Sequence, residues 1–540
     1  MKIALPESTL LSLLCALLLW PMPVEAEQTP NVILILADDL GYGSLGSYGQ
    51  QLIRTPHTDQ LASEGMRFSS YYSGAAACSP SRATIMTGKH TGHTRIRGNR
   101  QLPDGGQLPI RGDTFTLAEA LQTAGYTTAL IGKWGLGDAG SAGDPSLHGF
   151  DHVYGYLNQV LAHNSFPEFL WRNGEKVYLD NEVIYLDSTD ATRFPGLGSY
   201  SKKQSEFAPE LMIEEAESFI AQNADEPFFL FFATTAPHKN GEAPEGRKFE
   251  VDSLGIYESR DWPEPYKRFA ALVSHFDEAV GRIVEAVEAA GVADQTLILV
   301  TSDNGAGKSA VQSFFNVNGI LRGSKFSLNE GAIRVPMIAY WPGRIPGGTR
   351  SDLPFAAWDL FPTIMEVAGA SQEISIDGTS FLPTLMGEAQ PARTNALYWE
   401  NSTSLAALAG RWKAILYPGT FSAELYDLVD DPSEKRNVAK DHPEVLHALG
   451  RAVKDSHIQN DNFPVLPGEL PLRVSLSQRA KMAINDGVFF PQFWPVSTGD
   501  SDRDWREIVT TRSTRHDGNT TIAISSLSSN THCDDCIFNI

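Results

Sequence analysis

Two pairs of residues with oxygen-bearing side chains follow strand-like apolar runs in this chain. Asp38 and Asp39 come directly after one run, and Asp303 and Asn304 follow another. Oxygen ligands suit a hard cation such as Ca²⁺ or Mg²⁺, whereas zinc prefers His and Cys at short spacing. Adjacent carboxylates at a buried strand end repel each other unless a cation neutralises them. We therefore predict one divalent-cation site from both pairs; the alternative is that each pair only forms a turn or a cap.

A solitary cysteine opens a second segment, Cys78-Ser79-Pro80-Ser81-Arg82. Pro80 fits the first turn of a helix, so we expect Cys78 at a helix N-terminus, where N–H groups and the helix dipole favour anions. Arg82 would direct its guanidinium to the same anion. Residues 65–103 contain no acidic side chain but several basic ones, Arg67, Arg82, Lys89, Arg95, Arg97 and Arg100. This basic island predicts an anionic substrate group at Cys78; the alternative for the thiol is buried packing.

Several apolar and amphipathic segments alternate along the chain. Continuous apolar runs predict strands buried on both faces at 32–37, 127–131, 228–233, 297–301 and 335–340. Amphipathic runs predict helices at 116–124, 209–222 and 266–290. The alternation is typical of an α/β fold with a large, mostly parallel or mixed sheet between helices. Ligands bind beyond the carboxyl ends of such strands, so we expect four polar clusters in one cleft: Asp38-Asp39, Gly132-Lys133-Trp134, Pro237-His238-Lys239 and Asp303-Asn304.

Composition limits the class of protein. The chain has 540 residues, 42% of them hydrophobic and 20% charged, which excludes disordered, collagen-like and coiled-coil classes. A formal net charge of −22 argues against nucleic-acid or anionic-membrane partners. After about residue 395, short strand-like runs and one helix-like run predict a smaller α+β unit with an antiparallel sheet. We predict a larger N-terminal domain at 27–395, this C-terminal domain at 396–500, and a polar tail without regular structure at 501–540.

Residues 1–26 predict a cleaved signal peptide. Lys2 precedes an apolar run at 10–20, and Val24-Glu25-Ala26 places small residues where a signal peptidase reads them. The run is too short to span a bilayer, and no later apolar segment reaches about 18 residues. We therefore expect a periplasmic or secreted protein without a membrane span. The other cysteines lie in this segment and in the polar tail, which leaves Cys78 alone.

Taken together and in order, these segments resemble the type I sulfatases of the alkaline phosphatase superfamily. The likeness spans roughly residues 30–445 and lies in residues 31–41, Cys78-x-Pro-x-Arg82, Gly132-Lys133-Trp134, Pro237-His238, Asp303-Asn304-Gly305, Leu321-Arg322-Gly323-Ser324-Lys325, Asp377-Gly378-Thr379-Ser380 and Glu424-Leu425-Tyr426-Asp427-Leu428. The five-residue cysteine motif alone is weak evidence for this family, but its occurrence in order with the two Asp-containing pairs is specific to it. The resemblance implies an alkaline phosphatase-like fold and an arylsulfatase or glycan sulfatase.

The same resemblance implies a mechanism. A formylglycine-generating maturation enzyme would oxidise Cys78 to an aldehyde, and its hydrate would attack the sulfur of a sulfate ester, giving a covalent intermediate. One Ca²⁺ would be held by Asp38, Asp39, Asp303 and Asn304. Arg82 would orient the diol, Lys133 and Lys325 would bind sulfate oxygens, and His238 would protonate the leaving alcohol, since its ordinary pKa is about 6.5.

One position departs from the family pattern. Many members have histidine after Gly-Lys-Trp, where it contacts the diol, but here Gly135 follows Trp134. Collapse of the intermediate would then need another base. Our candidate is His163, with the alternative that it is a hydrogen-bonded loop residue; His93, in the basic island, is the second candidate.

Two other functions remain open from the sequence. A phosphodiesterase or phosphonate hydrolase of the same superfamily would bind a nearly isosteric group, and a non-catalytic protein could bind sulfated glycans. An intact cysteine motif disfavours the second, since a binding protein has no use for an oxidisable cysteine. Export and the aromatic, polar loop at 154–171 fit a sugar-binding rim, so we expect a sulfated carbohydrate or an aryl sulfate as the substrate, the carbohydrate first.

Overall fold

The computed structural model describes residues 29–102, 106–186, 198–371, 374–466 and 469, and the backbone of three strands beyond residue 509. The predicted signal peptide lies outside these residues, as do Cys15 and Cys533. No helix in the described ranges is both long and apolar enough to cross a membrane.

A ten-stranded mixed sheet forms the centre of the molecule. From one edge to the other its strands are Thr349–Ser351, Met66–Phe68, Met337–Tyr340, Thr296–Ser302, Asn31–Ala37, Phe228–Ala233, Thr127–Lys133, His152–Tyr156, Phe169–Arg172 and Glu175–Tyr178. The stretch from Thr296–Ser302 to His152–Tyr156 is parallel throughout. The predicted α/β architecture is confirmed, and every predicted strand of the sheet is present.

Helices cover both faces of this sheet. They are Pro56–Glu64, Cys78–Thr87, Leu117–Thr123, Ala208–Gln222, Glu264–Ala289, Ala310–Phe314, Glu330–Ile333, Leu360–Val367 and Leu382–Leu385. Ile33 packs in the same core as Met212 and Phe276, while Leu34 packs on the opposite face with Ile85. Because alternate residues of one strand enter different cores, both sets are apolar, which explains the uninterrupted apolar runs.

A smaller antiparallel sheet follows in the chain. Its strands are Leu397–Glu400, Leu405–Ala409, Trp412–Tyr417 and Ser422–Asp427, and helix Pro443–Ser456 packs against it. The predicted antiparallel sheet is thus confirmed, although the sequence does not reveal the strand at Leu405–Ala409 because its short run is largely alanine. The domain boundaries remain predictions. Two further strand pairs are Tyr71–Tyr72 with Phe355–Ala356, and Glu182–Tyr185 with Ser199–Lys203.

The polar tail differs from the sequence prediction. Strands Thr510–His516, Asn519–Ser525 and Cys536–Asn539 form a three-stranded antiparallel sheet. The sequence predicts no regular structure there because the segment is rich in hydroxyl and amide side chains. Threonine and isoleucine, which recur in it, are nevertheless β-branched residues that favour extended backbone.

Candidate active site

The register of the parallel strands brings their carboxyl ends to one edge. Ala37 is paired with Ser302, and Ala233 with Gly132. The residues that follow these strands therefore meet: Asp38 and Asp39 beside Asp303, and Lys133 beside the turn that leads to His238. The Asp38 N–H donates to Ala236 O at 3.1 Å, and the Asp303 N–H donates to Ala37 O at 3.1 Å, so the backbone itself fixes these turns.

Cys78 lies at the centre of this edge. It is the first residue of helix Cys78–Thr87, as predicted, and is fully buried. Its Sγ lies 3.2 Å from Asp38 Oδ1 and 3.2 Å from Lys325 Nζ. Burial, followed by the negative charges of Asp303 and Asp38, raises the pKa of the thiol to about 12. As an unmodified cysteine this group is protonated and a poor nucleophile at neutral pH.

Three cations face the carboxylates around Cys78. Arg82 Nη2 is 2.8 Å from Asp303 Oδ2, Lys133 Nζ is 2.5 Å from Asp38 Oδ2, and Lys325 Nζ is 2.7 Å from Asp39 Oδ1. Burial opposes ionisation of Asp38, but the surrounding cations, Lys133 first, hold the pKa of its carboxyl well below 3.8. Burial and the charge of Asp38 raise the pKa of Asp303 to about 6. The protein thus concentrates three carboxylates and three cations in one buried cluster.

The residues at this edge fit a hard divalent cation. Asp38, Asp39, Cys78 and His238 each offer a ligand atom, all within 4.8 Å of one another. Asn304 is buried beside them; its Nδ2 donates to Asp39 Oδ1 at 2.6 Å, and its Oδ1 has no partner within the described residues. A buried amide oxygen that accepts no hydrogen bond is well suited to bind Ca²⁺. The other oxygen ligands available here are carboxylate oxygens.

His238 borders the same cluster, with its Nε2 3.6 Å from Asp39 Oδ2 and 3.3 Å from Lys325 Nζ. The ordinary histidine pKa expected from the sequence is wrong for this residue. Burial lowers the pKa of His238 well below 6.5. The charge of Asp38 raises this pKa, but the charges of Lys325 and Lys133 lower it further. The imidazole is therefore neutral at pH 7 and offers one ring N–H as a hydrogen-bond donor.

His163 lies against His238 rather than in the carboxylate cluster itself. The two rings stack with centroids 4.8 Å apart, and His163 Nδ1 is 2.9 Å from Glu242 Oε2. Glu242 was not a sequence candidate, because nothing in its loop marks a residue that orients a histidine. His93, the second candidate base, is in a separate group: its Nδ1 is 2.9 Å from Asp377, next to His90.

Two further expectations about anion binding need correction. Arg97 pairs with Glu400 at 2.5 Å, Arg67 donates to Ser47 O at 2.7 Å, and Arg100 donates to Asn462 O. These three of the six basic residues in the island therefore hold the fold together rather than facing Cys78. The free N–H groups expected at the helix N-terminus are also reduced, because Ser79 N–H donates to Asn99 Oδ1 at 3.1 Å. Lysine side chains provide the cationic donors instead.

Gln159, which is not among the sequence candidates, contacts this site from the loop after His152–Tyr156. Its Oε1 lies 3.1 Å from Ser79 Oγ. A Cβ atom at Gly135 would lie 2.7 Å from the same Oε1. The sequence indicates Gln159 only indirectly, because the glycine at position 135 leaves space that the Gln159 side chain fills.

Comparison with known proteins identifies the family of this chain. The profile of the sulfatase family matches residues 30–370. The chain belongs to the sulfatase family. A second profile, N-sulphoglucosamine sulphohydrolase C-terminal, matches residues 324–458. The predicted family, and with it a sulfuric ester hydrolase of the alkaline phosphatase-like fold, is confirmed.

Three relatives illustrate the similarity. The sulfatase is 32% identical over 414 residues to N-acetylgalactosamine-6-sulfatase of Canis lupus familiaris, covering 74% of each chain. It is 28% identical over 495 residues to N-acetylgalactosamine-6-O-sulfatase of Bacteroides thetaiotaomicron, covering 80% of this chain and 93% of the relative. The crystal structure of Ps i-CgsB in complex with k-i-k-neocarrahexaose is similar with a TM-score of 0.65 and 29% identity, covering 79% and 92%.

Proposed function

We propose that this sulfatase hydrolyses sulfate monoesters of carbohydrates through a formylglycine derived from Cys78. The observation that carries the proposal is the position of Cys78 Sγ, 3.2 Å from both a carboxylate oxygen and the Lys325 ammonium. A thiol whose pKa is raised by burial gains little from such a position. A hydrated aldehyde at residue 78 would have hydroxyl groups for these partners to bind and orient.

The charges around residue 78 suit a sulfate ester. The side chains of Asp38, Asp39 and Asp303 oppose those of Arg82, Lys133 and Lys325, so the cluster is close to neutral by itself. When bound by the three aspartates and Asn304, Ca²⁺ supplies an excess of positive charge that stabilises a bound anion. Lys133 and Lys325 would hold the sulfate oxygens, Arg82 would hold Asp303 and orient the nucleophile, and His238 would donate to the oxygen of the departing alcohol.

Similar proteins and a cavity with aromatic and polar lining support a sugar substrate. Two of the three relatives are named for the 6-sulfate of N-acetylgalactosamine, and we propose this group as the first to test. A cavity of about 440 Å³ is lined among others by Asp138, Asn158, Phe169, Trp171 and Lys176, and Asn158 directly precedes Gln159 in the chain. Aromatic faces beside hydrogen-bonding side chains are suited to sugar rings.

Two accessory predictions belong to this function. Oxidation of Cys78 requires a formylglycine-generating maturation enzyme as a partner. A signal peptide at 1–26, with export to the periplasm or out of the cell, remains a prediction, because the described residues begin at 29. N-terminal sequencing of the protein purified from the periplasm or medium tests the cleavage.

Mass spectrometry tests the nucleophile. The peptide that contains residue 78 should be about 18 Da lighter than the cysteine form in active protein. Cys78→Ala should abolish turnover, while Cys15→Ala serves as the control because that cysteine lies in the predicted signal peptide. An unchanged cysteine mass in fully active protein would refute the proposal.

Substrate assays separate the alternatives. We expect the metal-loaded protein to release sulfate from N-acetylgalactosamine-6-sulfate, other sulfated monosaccharides and p-nitrophenyl sulfate. A chelator should abolish this activity, and added Ca²⁺ should restore it. Faster hydrolysis of a phosphonate monoester or a phosphodiester would favour the rival hydrolase. Binding of sulfated sugars with no hydrolysis of any ester would favour a non-catalytic glycan-binding protein.

A further inference from the structure

Gln159 is buried against the first turn of the helix that begins at Cys78. Only 3% of its surface is exposed. Its backbone N–H donates to Gln107 Oε1 at 3.0 Å, which fixes the loop, and its side-chain Oε1 lies 3.1 Å from Ser79 Oγ, which serves as its donor. Since Ser79 follows Cys78 directly, the carboxamide is anchored next to the residue that carries the nucleophile.

The other half of this carboxamide is unpaired. Gln159 Nε2 is buried and has no hydrogen-bond partner among the residues that the structure describes. Buried amide N–H groups in native proteins almost always have an acceptor, which a bound ligand or water provides where the protein does not. The Nε2 group of Gln159 can therefore donate a hydrogen bond to a ligand, whereas a glutamine with both halves paired cannot.

Gly135 makes room for this group. Its φ is +79°, and a Cβ atom there would lie 2.7 Å from Gln159 Oε1, 3.5 Å from Ser79 Oγ and 3.7 Å from Arg82 Cδ. A side chain at position 135 would therefore displace the carboxamide of Gln159 from its present position. Arg82 places the corner at the reaction centre, because its guanidinium contacts both Asp303 and Asp38.

We propose that Gln159 is a substrate-binding residue whose Nε2 donates a hydrogen bond to an oxygen of the sulfate ester beside residue 78. The inference rests on the proposed function and adds a neutral donor to the two lysines. A carboxamide neither accepts nor releases a proton near neutral pH, so Gln159 binds the anion and does not act as a base.

Two variants test this hydrogen bond. Gln159→Ala should lower kcat/KM for p-nitrophenyl sulfate and raise the inhibition constant of inorganic sulfate, each by about tenfold, the usual effect of one lost hydrogen bond to a charged group. Gln159→Glu keeps the shape but donates only when protonated. Its activity should therefore approach that of the parent at acidic pH and fall as pH rises through the glutamate pKa, because the carboxylate repels sulfate.

Gln390→Glu is the matched control. Gln390 accepts from Thr384 Oγ1 at 2.8 Å and donates to Ser380 O at 2.8 Å, so both halves of its carboxamide are paired outside the Cys78 cluster. This variant should keep the parent pH profile of activity.

Three results would overturn the proposal. One is a Gln159→Ala protein with parental kcat/KM and parental sulfate inhibition. Another is a Gln159→Glu protein whose activity is reduced by the same factor at every pH, since a packing defect does not titrate. If the parent hydrolyses no sulfate ester, the proposed function fails by itself; calorimetric titration with inorganic sulfate then decides on Gln159, and equal affinity of parent and Gln159→Ala refutes it.

Discussion

At the scale of residues, the protonation state of His238 determines how this side chain would assist the leaving group in the proposed reaction. Because burial lowers its pKa well below 6.5, the imidazole is neutral and would act through a ring N–H rather than as an imidazolium. Such a donor stabilises charge on the departing oxygen most when the alcohol is a poor leaving group. A nitrophenolate needs little help, whereas a sugar alkoxide needs much.

We therefore expect His238→Ala to lower kcat by about 10²-fold for a sulfated sugar and by less than about tenfold for p-nitrophenyl sulfate. Steady-state kinetics on both esters measure the two factors. His442→Ala is the control, since that half-buried histidine packs against Trp412 in the C-terminal sheet. Equal losses on both esters would show that His238 does not assist the leaving group.

The residues around Cys78 differ in how far the sequence could predict their proximity. The Asp pairs and Lys133 follow buried parallel strands, so their meeting is a consequence of strand direction. Gln159 and Glu242 reach the site from loops, and their contacts depend on empty space at Gly135 and on the position of His163. Likewise, the Arg97–Glu400 pair joins residues 303 positions apart, which no local pattern reveals.

At the scale of elements, the strand that carries Lys133 needs glycine near its end. Gly132 has a φ of +119°, and a Cβ there would lie 2.0 Å from Ala233 O of the neighbouring strand. Gly132→Ala should push the two strand ends apart and displace Lys133, lowering kcat by about 10²-fold, the effect of misplacement by about 1 Å.

Kinetics and thermal melting test this change against Gly140→Ala. Gly140 also has a positive φ, of +73°, but no described atom lies within 4 Å of the position that a Cβ would take there. The control shares the backbone strain and lacks the collision, so it should keep the parental kcat. Similar losses of activity in both variants would contradict a role for the close strand contact.

The loops that hold His163 and Glu242 meet at a buried carboxyl group. Glu250 Oε2 accepts from Ser165 N–H at 2.9 Å and from Asn240 Nδ2 at 3.1 Å. Burial nevertheless raises the pKa of Glu250 to about 7 from its ordinary 4.5. Because the folded pKa exceeds the unfolded one, ionisation at rising pH favours the unfolded chain, and stability is lost between about pH 4.5 and pH 7.

Glu250→Gln keeps the shape and removes this titration. Relative to the variant, we expect the parent to lose about 3 kcal/mol of unfolding free energy between pH 4.5 and pH 8, as 1.36 kcal/mol for each pKa unit implies. Denaturant unfolding of both proteins at several pH values gives the difference, in which the other titrating groups cancel. A difference that does not change with pH would show that Glu250 ionises normally.

The sequence predicts strands well where all their residues are buried, and poorly where some of their residues are exposed. The strands of the parallel core show continuous apolar runs because helices cover both faces. The last two strands at one side of the sheet, Phe169–Arg172 and Glu175–Tyr178, have only four residues each, and Leu170 is their one buried residue. Their pairing is set by the neighbouring strand and the hairpin between them, so the local pattern is too weak to predict them.

At the scale of the whole molecule, a buried ion cluster joins the C-terminal sheet to the segment that carries Lys325. Lys413 Nζ, on strand Trp412–Tyr417, is 2.8 Å from Glu330 Oε1 and 3.0 Å from Glu434 Oε1. Arg322 adds a second link, with its Nη1 2.6 Å from Tyr426 Oη. The C-terminal sheet therefore supports the active site through the residues on either side of Lys325.

Lys413→Met should destabilise the fold by about 3–5 kcal/mol, because it removes the cation paired with the buried Glu434 and leaves the buried Glu330 with Arg334 alone. Activity should fall with it at temperatures where the parent is fully folded. Thermal and denaturant unfolding measure the loss, with Lys435→Met as the control because Lys435 is exposed. A Lys413→Met protein as stable as its control would show that the cluster contributes no net stability.

The complete burial of Cys78 also constrains the order of events during biogenesis. An enzyme that oxidises this side chain cannot reach it once the sheet edge, the helix and the lysine-bearing segment have closed around it. The proposed oxidation of Cys78 would then come first and compaction second. Overproduction that outpaces the modifying enzyme would leave correctly folded but permanently inert molecules, and only unfolding and renewed exposure of the thiol could recover them.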